Sequence, residues 1–506
     1  HRVVRMVLLA GLVLVLGPGR DLACLASDDA GTPVVQSPSA LEVGLLSITS
    51  ADWRFSGDTS GDKVGQSVAG GGDVNGSGYG DVVVGAYHDQ DRYGAAYVFY
   101  GTHSGLVNET PSVTLTSDDK GSEFGKSVAI AGDVNGDGYD DVIVGAPHYK
   151  NGDTYVGAVF LYLGGLTDMN DVADWDYMGS AQGQRIGESV AGAGDVDGDG
   201  YDDVIVGAPG YPGGDEGGKG AILLFYGGRE ETYLSSEPVW LYESDQAGAQ
   251  LGAAVASAGD VDDDGYPDLI AGAPTYDNPL VNEGAAYVFL GSSTVPGTSP
   301  DWTFYGEQEE ARLGTSVGTA GDVDCDGYDD VIIGVPDYSS SELGEQEGAA
   351  LVCYGSSEGL DTEDCWRHIG DQAGSGFGFS VSTAGDLDGD GCDDVIVGAP
   401  QYQPIADSGA DGAAFVFHGA SSGLQDWISW MIYNEKNVKE ELSALAASVG
   451  SAGDVTGDGV DDLILGAPAY FVQQTAVGRA FAFYGPLEPV ELFPAAYLPL
   501  IMRNAN

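Results

Sequence analysis

The stretch DVNGDGYDDVIVGAP, residues 133 to 147, has the side-chain spacing of a calcium loop that leads into a β-strand. Its first, third, fifth and ninth positions carry oxygen-bearing side chains, namely Asp133, Asn135, Asp137 and Asp141. A hard divalent cation takes six to eight oxygen ligands at about 2.3–2.6 Å. A tight loop can supply alternate side chains and one backbone carbonyl, here that of Tyr139 at position seven. The stretch therefore predicts a Ca²⁺ site.

The residues between and after these ligands indicate that the loop joins two strands. Gly138 at position six lets the backbone turn sharply under the ion. An EF-hand would continue into a helix with Glu at position twelve, but here the apolar run from Val142 to Val144 follows. The ninth-position aspartate therefore completes the ligand set.

The same unit occurs seven times, with first aspartates 60 to 68 residues apart. A period this regular predicts an array of supersecondary units. The ligands predicted in the other six loops, with main-chain carbonyls at position seven, are Asp73, Asn75, Ser77 and Asp81; Asp195, Asp197, Asp199, Tyr201 and Asp203; Asp260, Asp262, Asp264, Tyr266 and Asp268; Asp322, Asp324, Asp326, Tyr328 and Asp330; Asp386, Asp388, Asp390, Cys392 and Asp394; and Asp454, Thr456, Asp458, Val460 and Asp462.

We predict five to seven Ca²⁺ sites in total. Loop one has only two charged ligands, Asp73 and Asp81, and loop seven has the neutral Thr456 at position three. An empty acidic turn is the alternative for each loop. We expect the ions to staple the turns and to have no catalytic role, because a fully coordinated ion has no free position.

Each repeat contains four strand-like pieces, which in the second repeat are residues 113–118, 126–133, 141–147 and 157–164. The second piece consists of small residues, which suits a strand close to a central axis. The third and fourth pieces are continuous apolar runs, which are typical of strands buried on both faces. The predicted fold is all-β, a seven-bladed β-propeller of four-stranded antiparallel blades.

The last repeat lacks its fourth strand, and a matching piece, ADWRFSGD at residues 51–58, precedes the first repeat. We predict that the ring is closed by this N-terminal strand, because an open ring would leave strand edges exposed. The alternative is that residues 51–58 only cap blade one.

Composition and the chain ends set further expectations. The net charge is −61, which would repel a nucleic acid. We divide the chain into a signal peptide at 1–26, a Ser/Pro/Ala-rich linker at 27–49, the propeller at 50–485 and a C-terminal tail at 486–506. Lipidation of Cys24 is a rival to signal cleavage. No transmembrane helix is expected, since no run of about 18 apolar residues occurs.

Recurrent dipeptides and tripeptides give these repeats a specific resemblance. Phe-Gly and Gly-Ala-Pro pairs, or close equivalents, are found at 124–125 with 145–147, 186–187 with 207–209, 251–252 with 272–274, and 377–378 with 398–400. The array resembles the FG-GAP repeats of the integrin α-subunit N-terminal β-propeller. Departures are Val64 and Tyr87 in the first repeat, Val335 in the fifth, and Leu445-Ala446 in the seventh.

The resemblance implies a place for each site and a function. In that family calcium loops link the first and second strands on the lower face, while ligand meets the upper face. No inserted adhesion domain, leg domains or cytoplasmic tail is found, so the chain resembles a stand-alone FG-GAP protein. We expect a secreted or cell-surface monomer that binds an extracellular protein or glycan, acting in adhesion or ligand binding.

A carbohydrate-binding lectin propeller is the alternative function, and a hydrolase or lyase on a propeller scaffold is a further one. We expect no enzyme, because the six His and 18 basic residues show no recurrent catalytic set. Glycosylphosphatidylinositol phospholipase D also carries FG-GAP repeats, but its family's chemistry resides in a separate zinc domain that we do not find.

Six repeats carry a tyrosine two residues beyond the proline that ends the third piece, and these are Tyr149, Tyr211, Tyr276, Tyr338, Tyr402 and Tyr470. They are candidate ligand-binding residues of the upper face, because aromatic rings can stack on sugars or protein side chains. The alternative is packing between blades. Cys353 and Cys365 lie on consecutive strands and are candidates for a disulfide, whereas the pairing of Cys325 and Cys392 is left open.

Overall fold

The repeats form a ring of seven four-stranded antiparallel sheets in the computed structural model, which confirms the predicted seven-bladed β-propeller. The structure describes residues 42–487, apart from 90–92, 107–108, 167–168, 214–217, 230–232, 341–345, 363–364, 405–410, 435–442 and 473–474. It also describes the backbone of five short strands, Met6–Leu9, Leu12–Val15, Ala23–Ser27, Pro33–Gln36 and Glu491–Pro494. No helix of the described residues is long and apolar enough to cross a membrane.

The first strand of each blade is built from small residues and lies at the centre of the ring. The seven first strands are Ser67–Gly72, Ser127–Gly132, Ser189–Gly194, Ala254–Gly259, Val317–Gly321, Ser380–Gly385 and Ser448–Gly453. Each contacts the first strands of both neighbouring blades, and the seventh contacts the first. The approach is close: a Cβ on Gly70 would overlap the backbone of Ala452. Small side chains are therefore required at the axis.

The second and third strands form the core of each blade. The second strands are Asp81–Ala86, Asp141–Ala146, Asp203–Ala208, Asp268–Ala273, Asp330–Val335, Asp394–Ala399 and Asp462–Ala467. The third strands are Ala95–Phe99, Ala158–Tyr162, Ala221–Phe225, Ala285–Phe289, Ala349–Cys353, Ala413–Phe417 and Arg479–Phe483. Alternate residues face opposite neighbours: Val82 and Val84 pack toward blade seven, and Val83 packs toward blade two. Both faces are covered, which is why these strands are apolar throughout.

The fourth strands are Val113–Thr116, Trp175–Met178, Trp240–Glu243, Trp302–Tyr305, Trp366–Ile369 and Trp430–Tyr433, and in blade seven Trp53–Ser56. This last strand pairs antiparallel with Arg479–Phe483, with Trp53 opposite Ala482. Trp53 is buried, and its ring centroid lies 4.7 Å from that of Phe99 in blade one. The N-terminal strand therefore closes the ring, as predicted from the sequence.

Blade six is wider than the sequence indicated. The strand Glu42–Ser47, inside the expected linker at 27–49, pairs in parallel with Trp430–Tyr433. The strand Glu491–Pro494, from the expected tail, pairs antiparallel with the other edge of Glu42–Ser47. Val43 and Leu45 are buried in the layer between blades five and six. Their alternating apolar pattern is too short to stand out within a Ser/Pro-rich segment, so only packing reveals the strand. The side chains of the expected signal peptide lie outside the described residues.

Two short hairpins complete the described elements, and a 3₁₀ turn at Ile48–Ser50 leads into the closing strand. One hairpin is Lys150–Asn151 with Thr154–Tyr155, and the other is Phe471–Val472 with Thr475–Ala476. Both follow a second strand. Because the strands alternate in direction, these hairpins lie on the face opposite the loops that join first to second strands, and we call their side the upper face.

Candidate functional site

The loop between the first and second strands of blade two is held by hydrogen bonds to its own acidic side chains. The backbone N–H of Asp137 donates to Asp133 Oδ1 at 3.0 Å and to Asn135 Oδ1 at 2.8 Å. The N–H of Gly138 donates to Asp133 Oδ2 at 2.8 Å, and Gly138 has a φ of +90°. The predicted ligand oxygens are therefore gathered on the inner side of one tight turn.

A β-bulge between Ile130 and Gly132 ends the first strand, and its counterpart precedes each of the other loops. A bulge bends the strand locally and re-aims the residues that follow it. In blade two the next residue is Asp133, the first predicted ligand. The local break in strand register thus directs the chain into the acidic loop.

The ninth-position aspartate connects each loop to the core. In blade two Asp141 is fully buried and accepts backbone N–H donations from Val134 at 3.1 Å and from Gly164 at 2.8 Å. Burial raises the pKa of Asp141 to about 8, assisted by the nearby charges of Asp137 and Asp133. A cation placed beside this carboxylate would offset the cost of burying its charge.

All seven ninth-position aspartates share this environment. In each case burial is the main cause, and the pKa rises to about 7 or about 8 in Asp81, Asp203, Asp268, Asp330, Asp394 and Asp462 as well. Each also accepts two or more hydrogen bonds from backbone N–H groups. One of these donors is the glycine two positions after the end of the third strand. The buried, hydrogen-bonded aspartate is therefore a feature that all seven blades share.

Loops four and five pass a direct test of fit to a hard cation. The third-position oxygens Asp262 Oδ1 and Asp324 Oδ1 are buried and have no hydrogen-bond partner among the described residues. In loop four, Asp260, Asp262 and Asp268 each place one carboxylate oxygen within 4.8 Å of the others. Asp322, Asp324 and Asp330 do the same in loop five. In each loop, one buried unpartnered carboxylate oxygen beside two further carboxylates fits a divalent cation.

Loops one and seven keep the same turn although they bring fewer charges. In loop one the N–H of Ser77 donates to Asp73 Oδ1 at 2.8 Å, and that of Gly78 donates to Asp73 Oδ2 at 2.7 Å. In loop seven Thr456 Oγ1 lies 3.4 Å from Asp454 Oδ1. In both loops the first-position aspartate accepts the backbone N–H groups of the turn, so the turn is kept while the charge offered to an ion falls.

The eighth position has a role that the sequence reading missed. Asp202 Oδ2 accepts the N–H of Asp133 in the preceding loop at 2.8 Å, and the N–H of Asp202 donates to the carbonyl of Asp133 at 3.2 Å. Equivalent side-chain bonds to the preceding loop are made by Asp140, Asp329, Asp393 and Asp461. The sequence signal for this role is the pair of adjacent aspartates at positions eight and nine. The ninth faces the predicted ion site, and the eighth binds the neighbouring loop.

Seventh-position side chains also connect neighbouring loops, whereas only their carbonyls were predicted as ligands. Tyr201 lies against Gly136 of the preceding loop so closely that a Cβ on the glycine would overlap the ring. The same contact joins Tyr139 to Gly76, Tyr266 to Gly198, and Tyr79 to Gly457. Between loops five and six a disulfide, Cys325–Cys392, takes this place. The second disulfide, Cys353–Cys365, is the one suggested by the sequence.

The six candidate ligand-binding tyrosines lie in the layers between blades. Tyr402 and Tyr470 are buried, each 4% exposed, and the others pack at the edges of the same apolar clusters. The ring of Tyr402 meets Phe415 edge-on with centroids 5.2 Å apart, and Tyr470 meets Phe481 at 5.6 Å. These contacts favour the packing role that the sequence left as the alternative.

Hydroxyl groups of these tyrosines bind aspartates 31 residues earlier in the chain. Tyr149 donates to Asp118 at 2.9 Å, and Tyr276 donates to Asp245 at 3.1 Å. Burial raises the pKa of both tyrosines to about 12, and the hydrogen-bonded aspartates add to this effect. Each tyrosine therefore ties its own blade to the turn that ends the preceding blade's outer strand.

The upper face carries a cleft of about 410 Å³ between blades two and three, lined by His148, Tyr155, Gln182 and Arg185. Tyr155, on the hairpin, is 47% exposed, and its ring stands nearly perpendicular to that of His148. Arg185 Nη2 lies 2.7 Å from Glu188 Oε2. His148 Nδ1 lies 3.0 Å from Glu123 Oε1, and this hydrogen bond raises the pKa of His148.

Comparison with known proteins agrees with this geometry. A family profile described as "FG-GAP repeat" matches residues 124–162, 187–225, 251–289, 313–352, 377–417 and 446–483, which fall in blades two to seven. The unmatched blade one contains the departures Val64 and Tyr87. Integrin alpha pat-2 of Caenorhabditis briggsae is 32% identical over 302 residues, covering 55% of this chain and 22% of that protein.

Two further relatives show how widely the repeat is shared. Human integrin alpha-IIb is 39% identical over 166 residues, covering 31% of this chain and 15% of its own length. Phosphatidylinositol-glycan-specific phospholipase D of Bos taurus is 29% identical over 402 residues, covering 70% of this chain and 46% of its own length. The chain thus spans less than half the length of each of these relatives.

Proposed function

Because this chain is an FG-GAP repeat protein whose β-propeller resembles that of integrin α subunits, we propose that it is a secreted or cell-surface adhesion or ligand-binding module stabilised by Ca²⁺. The observation that carries the binding role is the upper-face cleft. The ion binding rests on the seven acidic loops, with the predicted side chains at positions one, three, five and nine and a main-chain carbonyl at position seven as ligands.

The cleft has the chemistry of a recognition site on a strongly acidic surface. Arg185 has five N–H donors and uses only some of them on Glu188, so others remain for a ligand. Tyr155 offers an exposed aromatic face and Gln182 an amide. With a net charge of −61 on the whole chain, a site with arginine, histidine and an exposed ring is distinct from its surroundings. It suits a carboxylate-bearing protein segment.

A glycan is the second candidate ligand, favoured by one feature of the cleft. The exposed ring of Tyr155 lies beside the polar groups of Gln182 and Arg185. Aromatic stacking with adjacent hydrogen-bond donors is a common way to hold a sugar. In either case the ligand is an extracellular protein or glycan, and the loops on the opposite face hold the scaffold rigid.

Arrays of matrix proteins and glycans, probed with the full chain in Ca²⁺ and in chelator, test this proposal. For a captured partner, Arg185→Ala and Tyr155→Ala should each weaken binding by about 2 kcal/mol or more, roughly 30-fold, because interface energy concentrates in a few aromatic and arginine side chains. Arg229→Ala is the matched control, since Arg229 lies near Tyr201 on the loop face.

Two results would contradict the binding site as placed. Full affinity in both cleft variants would exclude the cleft, and loss of binding in Arg229→Ala would move the site to the loop face. We further propose that the propeller binds without catalysis. Release of product from a phosphatidylinositol-glycan substrate, the lipid named in the phospholipase D relative, would overturn that part.

A further inference from the structure

Loop six differs from the other six loops because a histidine lies against its carboxylates. His418 Nδ1 is 2.7 Å from Asp388 Oδ2 and 3.8 Å from Asp394 Oδ2, the third- and ninth-position side chains of that loop. Both aspartates are ligands predicted from the sequence, whereas His418 has no predicted role. An imidazole nitrogen thus lies beside an otherwise all-oxygen set of side-chain atoms.

His418 occupies an equivalent position in the repeat, and in three other blades the tyrosine at this position is close enough to feel the charges of its loop. It is the first residue after the third strand, where the other blades have Tyr100, Leu163, Tyr226, Leu290, Tyr354 and Tyr484. In blade three the pKa of Tyr226 is raised to about 12, first by burial and then by the charges of Asp197 and Asp203. Only in blade six does this position carry a side chain that can ligate a metal through nitrogen.

The three side chains are arranged as ligands of one ion. One ligand atom each from Asp388, Asp394 and His418 lie within 4.8 Å of one another. Ligands that each stand about 2.0–2.2 Å from one ion are separated by roughly 3–4 Å. The side chain of Asp394 is 1% exposed and that of His418 12% exposed, so both are shielded from water. Small shifts would seat an ion between them.

Of the two ring nitrogens of His418, Nδ1 is the one that contacts the loop. His418 Nε2 is buried and has no hydrogen-bond partner among the described residues, so the ring's polar contacts run through Nδ1 to the loop. Cys392, at position seven of the same loop, is tethered by its disulfide to Cys325 of loop five. The loop that carries Asp388 and Asp394 is therefore covalently fixed to its neighbour.

We propose that loop six is a mixed nitrogen–oxygen site for a divalent first-row transition ion such as Co²⁺ or Zn²⁺, with His418 Nδ1, Asp388 and Asp394 as ligands. Neutral imidazole together with carboxylate suits these ions, whereas Ca²⁺ takes oxygen ligands almost alone. The all-oxygen loops keep Ca²⁺. This inference goes beyond the proposed adhesion role, since it gives the scaffold two metals of different chemistry.

Titration of the full chain with Co²⁺ tests the site, after removal of metal with chelator and reloading with excess Ca²⁺. The visible absorption of Co²⁺ reports binding, and nitrogen hyperfine coupling in electron spin resonance reports a directly bonded imidazole. Wild type should bind one Co²⁺ in the presence of Ca²⁺. His418→Tyr, which restores the tyrosine of four other blades, should weaken Co²⁺ binding at least about tenfold, the lower end of what even an outer-shell loss costs.

Matched variants distinguish Co²⁺ binding at loop six from Co²⁺ binding by other histidines. His103→Tyr changes an exposed histidine and should leave Co²⁺ binding as in wild type. Tyr226→His should create a second site in loop three. If His418→Tyr has a lower melting temperature in Ca²⁺ than wild type, the Co²⁺ affinity of His418→Gln, a smaller change, is compared with wild type. Equal Co²⁺ affinity in wild type and the His418 variants, or no Co²⁺ uptake because the imidazole closes the loop, would overturn the proposal.

Discussion

The aspartate at the ninth loop position, such as Asp141, stands where the acidic loop meets the apolar core. It is the first residue of the second strand, so its side chain points into the base of the loop while Val142 continues the buried strand. Its two backbone hydrogen bonds fix the loop, and its charge faces the predicted cation. Asparagine would keep part of the hydrogen bonding without the charge. Aspartate therefore fixes the loop geometry and supplies the negative charge that the predicted cation needs.

We predict that the metal-free protein loses stability as pH rises from about 4 to about 8. The ninth-position carboxyls have an ordinary pKa near 3.8 and folded values of about 7 to about 8. The folded state thus binds more protons than the unfolded state in this range, so each group contributes stability below its unfolded pKa and loses it as pH rises through the folded pKa. Thermal melts in chelator at constant ionic strength measure the effect.

Calcium should reverse this trend, because the ionised carboxylates are then the ion-binding form. Asp141→Asn removes one of the seven groups and should make the slope of melting temperature against pH smaller in chelator. A melting temperature in chelator that is flat or rises across the range would contradict the assignment of these buried carboxyls.

At the scale of the strand, the N-terminal segment closes the ring and covers the edge of one blade. Trp53–Ser56 completes blade seven, and Glu42–Ser47 covers the outer edge of blade six. An uncovered strand presents unpaired N–H and C=O groups that favour association with other chains. Both segments therefore protect edges that the repeats themselves leave open.

Deletions from the N-terminus should separate these two contributions. Removing residues up to 41 should leave melting unchanged, and removing residues up to 49 should lower stability because Val43, Leu45 and Ile48 are buried. Removing residues up to 58 should cause aggregation, since it exposes Arg479–Phe483 and removes Trp53, a side chain whose truncation alone costs about 3–5 kcal/mol. Light scattering and thermal melts provide the measurement, and equal behaviour of all three truncations would contradict closure by Trp53–Ser56.

At the scale of the whole molecule, we expect charge and loop coupling to make the stability of the ring depend on metal. The chain has a net charge of −61, and 14 positive charges from seven divalent ions would still leave −47. The acidic loops are joined to one another by eighth-position hydrogen bonds, by Tyr–Gly contacts and by one disulfide. We therefore expect a change in one loop to affect the loops beside it.

We predict that excess chelator lowers the melting temperature of the full chain steeply. An ion that binds only the folded state stabilises it by about 2.7 kcal/mol per site when free ligand is a hundredfold above the dissociation constant. Calorimetry in Ca²⁺, in chelator and after restoration of Ca²⁺ measures the effect, with matched ionic strength as the control. An unchanged melting curve in chelator would show that the loops do not depend on ions.

The sequence by itself determined the propeller, its blade number and its closing strand, because these follow from a periodic pattern that is visible without contacts. Seven regularly spaced DxDxDG-type loops fix the repeat, the apolar runs fix the two-sided burial, and ADWRFSGD supplies the missing strand. The ninth-position aspartates were likewise readable, since their spacing from Asp133 and its equivalents is a property of local chain geometry.

Only the tertiary structure decided which of these side chains meet, because the contacts join residues 30 or more positions apart in the sequence. It placed Asp202 on the backbone of Asp133, paired Cys325 with Cys392 and brought His418 to Asp388. It also placed Tyr402 and Tyr470 between blades, although their regular spacing equally fitted an exposed ring. Periodicity specifies which positions are equivalent, whereas the packing of one blade against the next determines what each position contacts.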